Sequence, residues 1–162
     1  MINRLLSFGY GVLAYAVFLA TFLYAIAFVG GFIVANPLDT PARTPLTEAL
    51  ALNGVLLTLF ALQHSVMARP WFKRRWTRIV PPAIERSTYV LCASLALLLL
   101  FWQWRPIGIE VWNIGNPAAR AAIWVLFAAG WTTVLVTTFL INHFDLFGLR
   151  QVWLALRGRP YT

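Results

Sequence analysis

The chain has 162 residues, 60% of them hydrophobic and 11% charged, against about 25% charged in ordinary soluble domains. That composition excludes a water-soluble globular domain, because several apolar runs reach the roughly 20 helical residues needed to cross a bilayer core of about 30 Å. The net charge of +8 does not point to nucleic acid, since Lys and Arg cluster beside the apolar runs, where such residues set topology and meet anionic lipid headgroups. The expected fold class is all-α: a polytopic membrane protein of one domain, with four transmembrane helices and a C-terminal interfacial amphipathic helix.

The first apolar run covers residues 8–34. It is too long for a signal-peptide core of about 7–15 residues and reads as a retained span. It loosens at Gly30-Gly31 and stops at Asn36-Pro37. A short polar loop from Asp39 to Thr47 leads to a second span over 48–68. The loop 69–86 holds Arg69, Lys73, Arg74, Arg75, Arg78 and Arg86, and Pro81-Pro82 reads there as a helix breaker. The third span, 87–104, ends in Trp102 and Trp104, which suit a membrane interface, and Arg105-Pro106 closes it. A loop to Pro117 precedes the fourth span, 118–141. The tail 145–158 is amphipathic: Asp145 can cap it, and Leu146, Leu149, Val152, Trp153 and Leu156 share one face. Arg150, Gln151 and Arg157 fall elsewhere, so this helix is expected to lie in the membrane interface.

Basic residues orient the spans. Arg4, six residues of the 69–86 loop, and Arg150, Arg157 and Arg159 make ten on one side; Arg43, Arg105 and Arg120 make three on the other. The positive-inside rule then puts both termini and the basic loop in the cytoplasm, in a bacterial inner (plasma) membrane. Ala16 and Ala20 give only a weak small-residue spacing, and the oligomeric state stays open.

His64 and His143 are the only histidines. His64 lies about five residues, or roughly 7 Å, inside the end of the second span, and His143 sits at the end of the fourth. Both therefore fall at one depth, beside the basic loop. A titratable group there is costly and marks a candidate functional site. Asn53, Leu57, Phe60, His64 and Met67 follow helical spacing, so one face is expected to look into the bundle. The plainer readings are a packed histidine at 64 and a helix exit with a cap at 142–145. Cys92 stands alone and reads as a small packed residue, and no Cys/His spacing suggests a metal site. The residues themselves leave three classes open: transfer chemistry on a small apolar substrate with a histidine base, a bis-histidine haem site, or a non-catalytic membrane scaffold.

Specific motifs narrow the choice. Residues 59–70, with Gln63-His64-Ser65, and residues 139–153, with Asn142-His143-Phe144-Asp145 and Gly148-Leu-Arg150-Gln151, resemble the bacterial methanethiol S-methyltransferases. Wider similarity runs to the isoprenylcysteine carboxyl methyltransferase-like membrane enzymes. The resemblance implies methyl transfer from S-adenosyl-L-methionine to methanethiol, giving dimethyl sulfide. Its implied site has His64, His143 and Asp145 as catalytic groups, Gln63 and Asn142 on the substrate, and no metal. Asp145 would orient His143, and Phe144, Trp102 or Trp104 would face the sulfonium. The implied partners are a small thiol and membrane lipid. The family's cofactor-binding C-terminal part, with an Arg-His-Pro motif, is not found in the chain, which is expected to be the N-terminal, substrate-side portion.

Overall fold

Four helices in the computed structural model are long and apolar enough to cross a membrane: α1 (Ile2–Gly30), α2 (Leu46–Met67), α4 (Pro82–Gln103) and α5 (Pro117–Ile141). Three short helices complete the chain: α3 (Pro70–Trp76), α6 (His143–Leu146) and α7 (Leu149–Leu156). The structure describes residues 1–109 and 113–161, so the expected loop to Pro117 lies partly outside the described residues. Among the described residues every regular element is helical, as composition required.

The helix ends follow from local chemistry. α1 stops at Gly30, earlier than its apolar run, because Gly31 adopts φ 72° and closes the helix with its N–H on the Ala27 carbonyl. Pro81-Pro82 does not break a helix; it starts one. Pro82 occupies the first turn of α4, where a missing N–H costs nothing, and Pro70 does the same for α3. The loop 69–86 is therefore largely helical. Asn116 caps α5 by accepting from the amides of Ala118 and Ala119.

α1, α2 and α4 form the packed bundle. Phe28, Leu56, Leu100 and Phe101 make one buried cluster, and Met67, Tyr89 and Val90 a second nearer the basic loop. Asn53 is buried and exchanges two hydrogen bonds with the backbone of Arg105, at 2.7 and 2.9 Å, which ties α2 to the end of α4. On α2 it is Leu56 that enters the core, whereas Leu57 is half-exposed, so the expected inward face is rotated by one residue there.

α5 is different. It buries no residue and reaches the bundle mainly through aromatic edges, such as Trp131 against Phe22 with ring centres 5.5 Å apart. The segment after α5 returns to the bundle. Val152 of α7 is fully buried against Gly11 of α1, where a Cβ would meet its methyl at 2.6 Å. Trp153 packs on Phe8, with ring centres 5.9 Å apart. The amphipathic tail thus spends its apolar face on α1. Its hinge, Gly148, has φ +86° and lies so close to Ser87 that a Cβ would come within 2.6 Å of the Ser87 hydroxyl.

Candidate functional site

Between α1, α2 and α4 runs a cavity of about 610 Å³. Trp131 of α5 and Phe147 of the α6–α7 link complete its wall. Most of that wall is apolar. Its titratable groups gather near the basic loop, where His64, Tyr89 and Arg86 line it together. The Tyr89 hydroxyl lies 3.0 Å from the ring nitrogens of His64, and Phe60 flanks the imidazole. The Arg86 guanidinium lies over the Tyr89 ring at 5.2 Å, while its Nε donates to the Leu146 carbonyl at 2.7 Å. Among the described residues Arg86 is thereby held at the mouth by one hydrogen bond and by its contact with the Tyr89 ring.

A second cleft, of about 450 Å³, opens beyond that mouth. Its lining is far richer in polar groups than the cavity's: Lys73, Glu85, Asn142, Asp145 and Gln151 contribute to it beside Pro82, Ile141 and Leu146. Arg86 and Leu146 line both spaces and form the partition between them. Two acceptors along the cleft, Asp145 Oδ1 and Gln151 Oε1, are buried with no hydrogen-bond partner among the described residues. Buried acceptors normally find partners, so these two are available to the donors of a polar ligand. The cleft volume also lies in the range of small-molecule sites.

The two histidines do not share one site. His143 is 4% exposed and fully engaged. Tyr15 Oη lies 2.8 Å from its Nε2, and Thr138 Oγ1 lies 2.8 Å from its Nδ1. Thr138 spends its proton on the Leu135 carbonyl, so Nδ1 is the ring's donor and Nε2 accepts from Tyr15. Burial lowers the His143 pKa below 6.5, keeping the ring neutral. Phe139 stacks on it at 4.2 Å, and Phe147, against its edge, stacks in turn on Phe18 of the cavity wall at 3.8 Å. His143 supports the wall from behind. With both nitrogens committed it has none to offer a haem iron.

The other expected site residues divide similarly. Asp145 does not orient His143: its carboxylate pairs with Arg150 at 2.5 Å, and the ring's nitrogens are taken by Tyr15 and Thr138. Nor does it cap the tail; Asn142, at φ 117°, accepts from the Asp145 amide and caps α6 instead. Gln63 donates to Met67 Sδ on its own helix at 3.1 Å and does not line the cavity with its neighbour His64. Trp102 is 75% exposed, Trp104 donates to the Leu38 carbonyl, and Phe144 faces Phe8 and Trp153. None of these three aromatics lines the His64 cavity. Sequence reasoning missed Tyr15, Arg86, Tyr89 and Gln151. A tyrosine in an apolar run carries a weak signal, and Arg86 read as one more topology charge.

No family model matches the chain, and no solved structure matches it. Curated relatives do. The methanethiol S-methyltransferase of Mycobacterium tuberculosis is 58% identical over 160 residues, covering 99% of this chain and 66% of the relative. That of Crocosphaera subtropica is 52% identical over 161 residues, with 99% and 63% covered. Methanethiol S-methyltransferase 1 of Bradyrhizobium diazoefficiens is 50% identical over 161 residues, with 99% and 56% covered. The chain thus spans between 56% and 66% of the length of these relatives. Identity of that order across nearly all of its residues decides the family: the chain belongs to the methanethiol S-methyltransferases.

Proposed function

We propose that the chain supplies the thiol-binding part of an S-adenosyl-L-methionine-dependent methyltransferase that converts methanethiol to dimethyl sulfide in a bacterial inner membrane, with the basic loop and both termini in the cytoplasm. The carrying observation is the shared partition: an apolar cavity and a polar cleft meet at Arg86 and Leu146. A small thiol partitions into the first and a charged, water-soluble methyl donor into the second. The names of the relatives supply the reaction class, and the ten-to-three bias of basic residues supplies the orientation.

His64 acts as the base. A neutral imidazole nitrogen takes the thiol proton while Tyr89 steadies the ring. Arg86 lies beside the point where the thiolate forms, in low-dielectric surroundings where a fixed cation stabilises an anion far more than it would in water. Asp145 and Gln151 hold the donor's polar groups, and Asn142 shapes that cleft. S-adenosyl-L-methionine supplies a sulfonium methyl group that needs no metal for its transfer. The apolar walls keep water from the sulfur, which water would otherwise solvate and weaken as a nucleophile. His143 serves as a positioning residue through Phe147, and Gln63 as a brace of α2.

The test is a chimera in which this chain replaces the 160 matching residues of the mycobacterial relative, expressed in membranes and given methanethiol and S-adenosyl-L-methionine. Dimethyl sulfide should form, measured by gas chromatography. Absence of product from a correctly inserted chimera would overturn the reading.

A further inference from the structure

We propose that the apolar cavity binds thiols carrying a linear hydrocarbon chain several carbons long, with the sulfur at the Arg86–Tyr89–His64 end; this inference rests on the methyl-transfer reading above.

The first ground is size. A water molecule's share of liquid is about 30 Å³, and methanethiol, with two heavy atoms, is only modestly larger. A cavity of about 610 Å³ exceeds it roughly tenfold. The second ground is shape. On α4 the lining residues run from Arg86 to Phe101, about 22 Å of helix, and on α1 from Phe18 to Val29, about 16 Å. The space is elongated along the helices. An eight-carbon chain, with bonds of about 1.5 Å in a zigzag, extends about 10 Å and fits inside it.

The third ground is the placing of polarity. Besides the three groups at the mouth, Thr21, Ser94 and the indole of Trp131 are the lining residues with polar side-chain atoms. Both hydroxyls are spent on their own helices: Thr21 donates to the Val17 carbonyl at 2.7 Å and Ser94 to the Val90 carbonyl at 2.9 Å. Both alcohol protons are thus spent, the remaining surface is hydrocarbon and aromatic apart from the Trp131 indole, and Ala25 and Ala93 keep the bore wide. One polar end and one long dry end match a ligand with a reactive head and a hydrocarbon tail. Such a thiol reacts as methanethiol does. Its proton passes to His64 and on to solvent, and the thiolate sulfur bonds the methyl carbon. The bond from that carbon to the donor's sulfonium sulfur breaks, leaving its electron pair on the donor sulfur. The products are an alkyl methyl sulfide and a neutral thioether.

The experiment uses the same chimera with linear alkanethiols from one to eight carbons, products read by mass spectrometry. KM should fall about three- to fourfold for each added methylene, the factor expected for a buried CH₂. Partition into the bilayer lowers apparent KM too, but equally in every variant, so the decisive reading is a molecular ruler. Ala25→Phe blocks the bore about 10 Å from Phe18 along α1. It should cut kcat/KM for octanethiol, relative to ethanethiol, at least tenfold, and for hexanethiol by a smaller factor. Ala25→Leu, a milder insertion that guards against misfolding, should shift the ruler the same way by a smaller factor. Methanethiol turnover without octanethiol turnover, or a ruler that neither variant moves, would overturn the inference while leaving the proposed function standing. Turnover of no thiol at all would overturn both.

Discussion

His64 and His143 occupy the same membrane depth by sequence, yet their surroundings assign them opposite work. His64 has one hydroxyl partner, Tyr89, and faces a cavity. His143 has two, Tyr15 and Thr138, and is walled in by Phe139 and Phe147. An imidazole with a nitrogen left over can accept a proton from a ligand. One with both nitrogens committed can only hold its neighbours in place. In an apolar setting, then, the number of free lone pairs distinguishes a reactive histidine from a structural one better than burial does.

The sharpest test of that contrast is a pair of substitutions. His64→Ala should lower thiol methylation by about 10²–10⁴-fold, the range expected for a positioned general base, and cost about 1 kcal/mol of stability through the lost Tyr89 hydrogen bond, with no further packing loss because the side chain borders open space. His143→Ala should do the reverse. It leaves the Tyr15 hydroxyl without its acceptor and a hole behind Phe147, and costs about 1–3 kcal/mol of stability. Activity per folded molecule should fall less than in His64→Ala. Thermal unfolding in detergent and turnover of the same preparations would separate the two; equal losses of activity at equal stability would dissolve the distinction.

Next in size is the hinge that carries His143 back to the bundle. Gly148→Ala forces a Cβ onto φ +86° and to within 2.6 Å of the Ser87 hydroxyl. The backbone strain alone is of order 1–3 kcal/mol. Melting temperature should drop, and limited proteolysis should cut between α6 and α7 before it cuts the α1–α2–α4 bundle. Tyr15→Phe comes after it. That change keeps the ring packing on His143 and removes one hydrogen bond, so about 1 kcal/mol should be lost.

Much of this contrast lay outside the reach of the sequence. The four spans were legible because apolar length survives any detail of packing, and the Gly31 stop is a local backbone property. Pro82 was misread because a proline breaks a helix already under way yet fits its first turn. Gln151 sits on the polar side of an eight-residue helix, so a pattern reading puts it in water. It is 7% exposed because α7 packs its apolar face on α1 and lies against α4. Tyr15 and His143 stand 128 residues apart, and no periodicity links two such positions. The motif match singled out the histidines, but which of them is free depended on partners that only the fold supplies.

The smallest expected effect is also the most specific, since it concerns the proton on His143. Burial holds that ring's pKa below 6.5, while the unfolded chain leaves it near the ordinary value of about 6.5. Between the two values the unfolded state binds more protons than the folded one, so stability rises with pH there. The contribution is complete above about pH 6.5 and is lost as pH falls toward the folded pKa, below which the slope vanishes. Protonation would also turn Nε2 into a second donor facing the Tyr15 hydroxyl, which would then have to reverse its own hydrogen bond. Unfolding midpoints measured from pH 7.5 down to 5 should therefore decline for the wild-type chain. His143→Gln, which can hydrogen-bond but cannot titrate, should flatten that decline. An unchanged slope in His143→Gln would move the acid sensitivity elsewhere and remove the proton from the account of why His143 is silent.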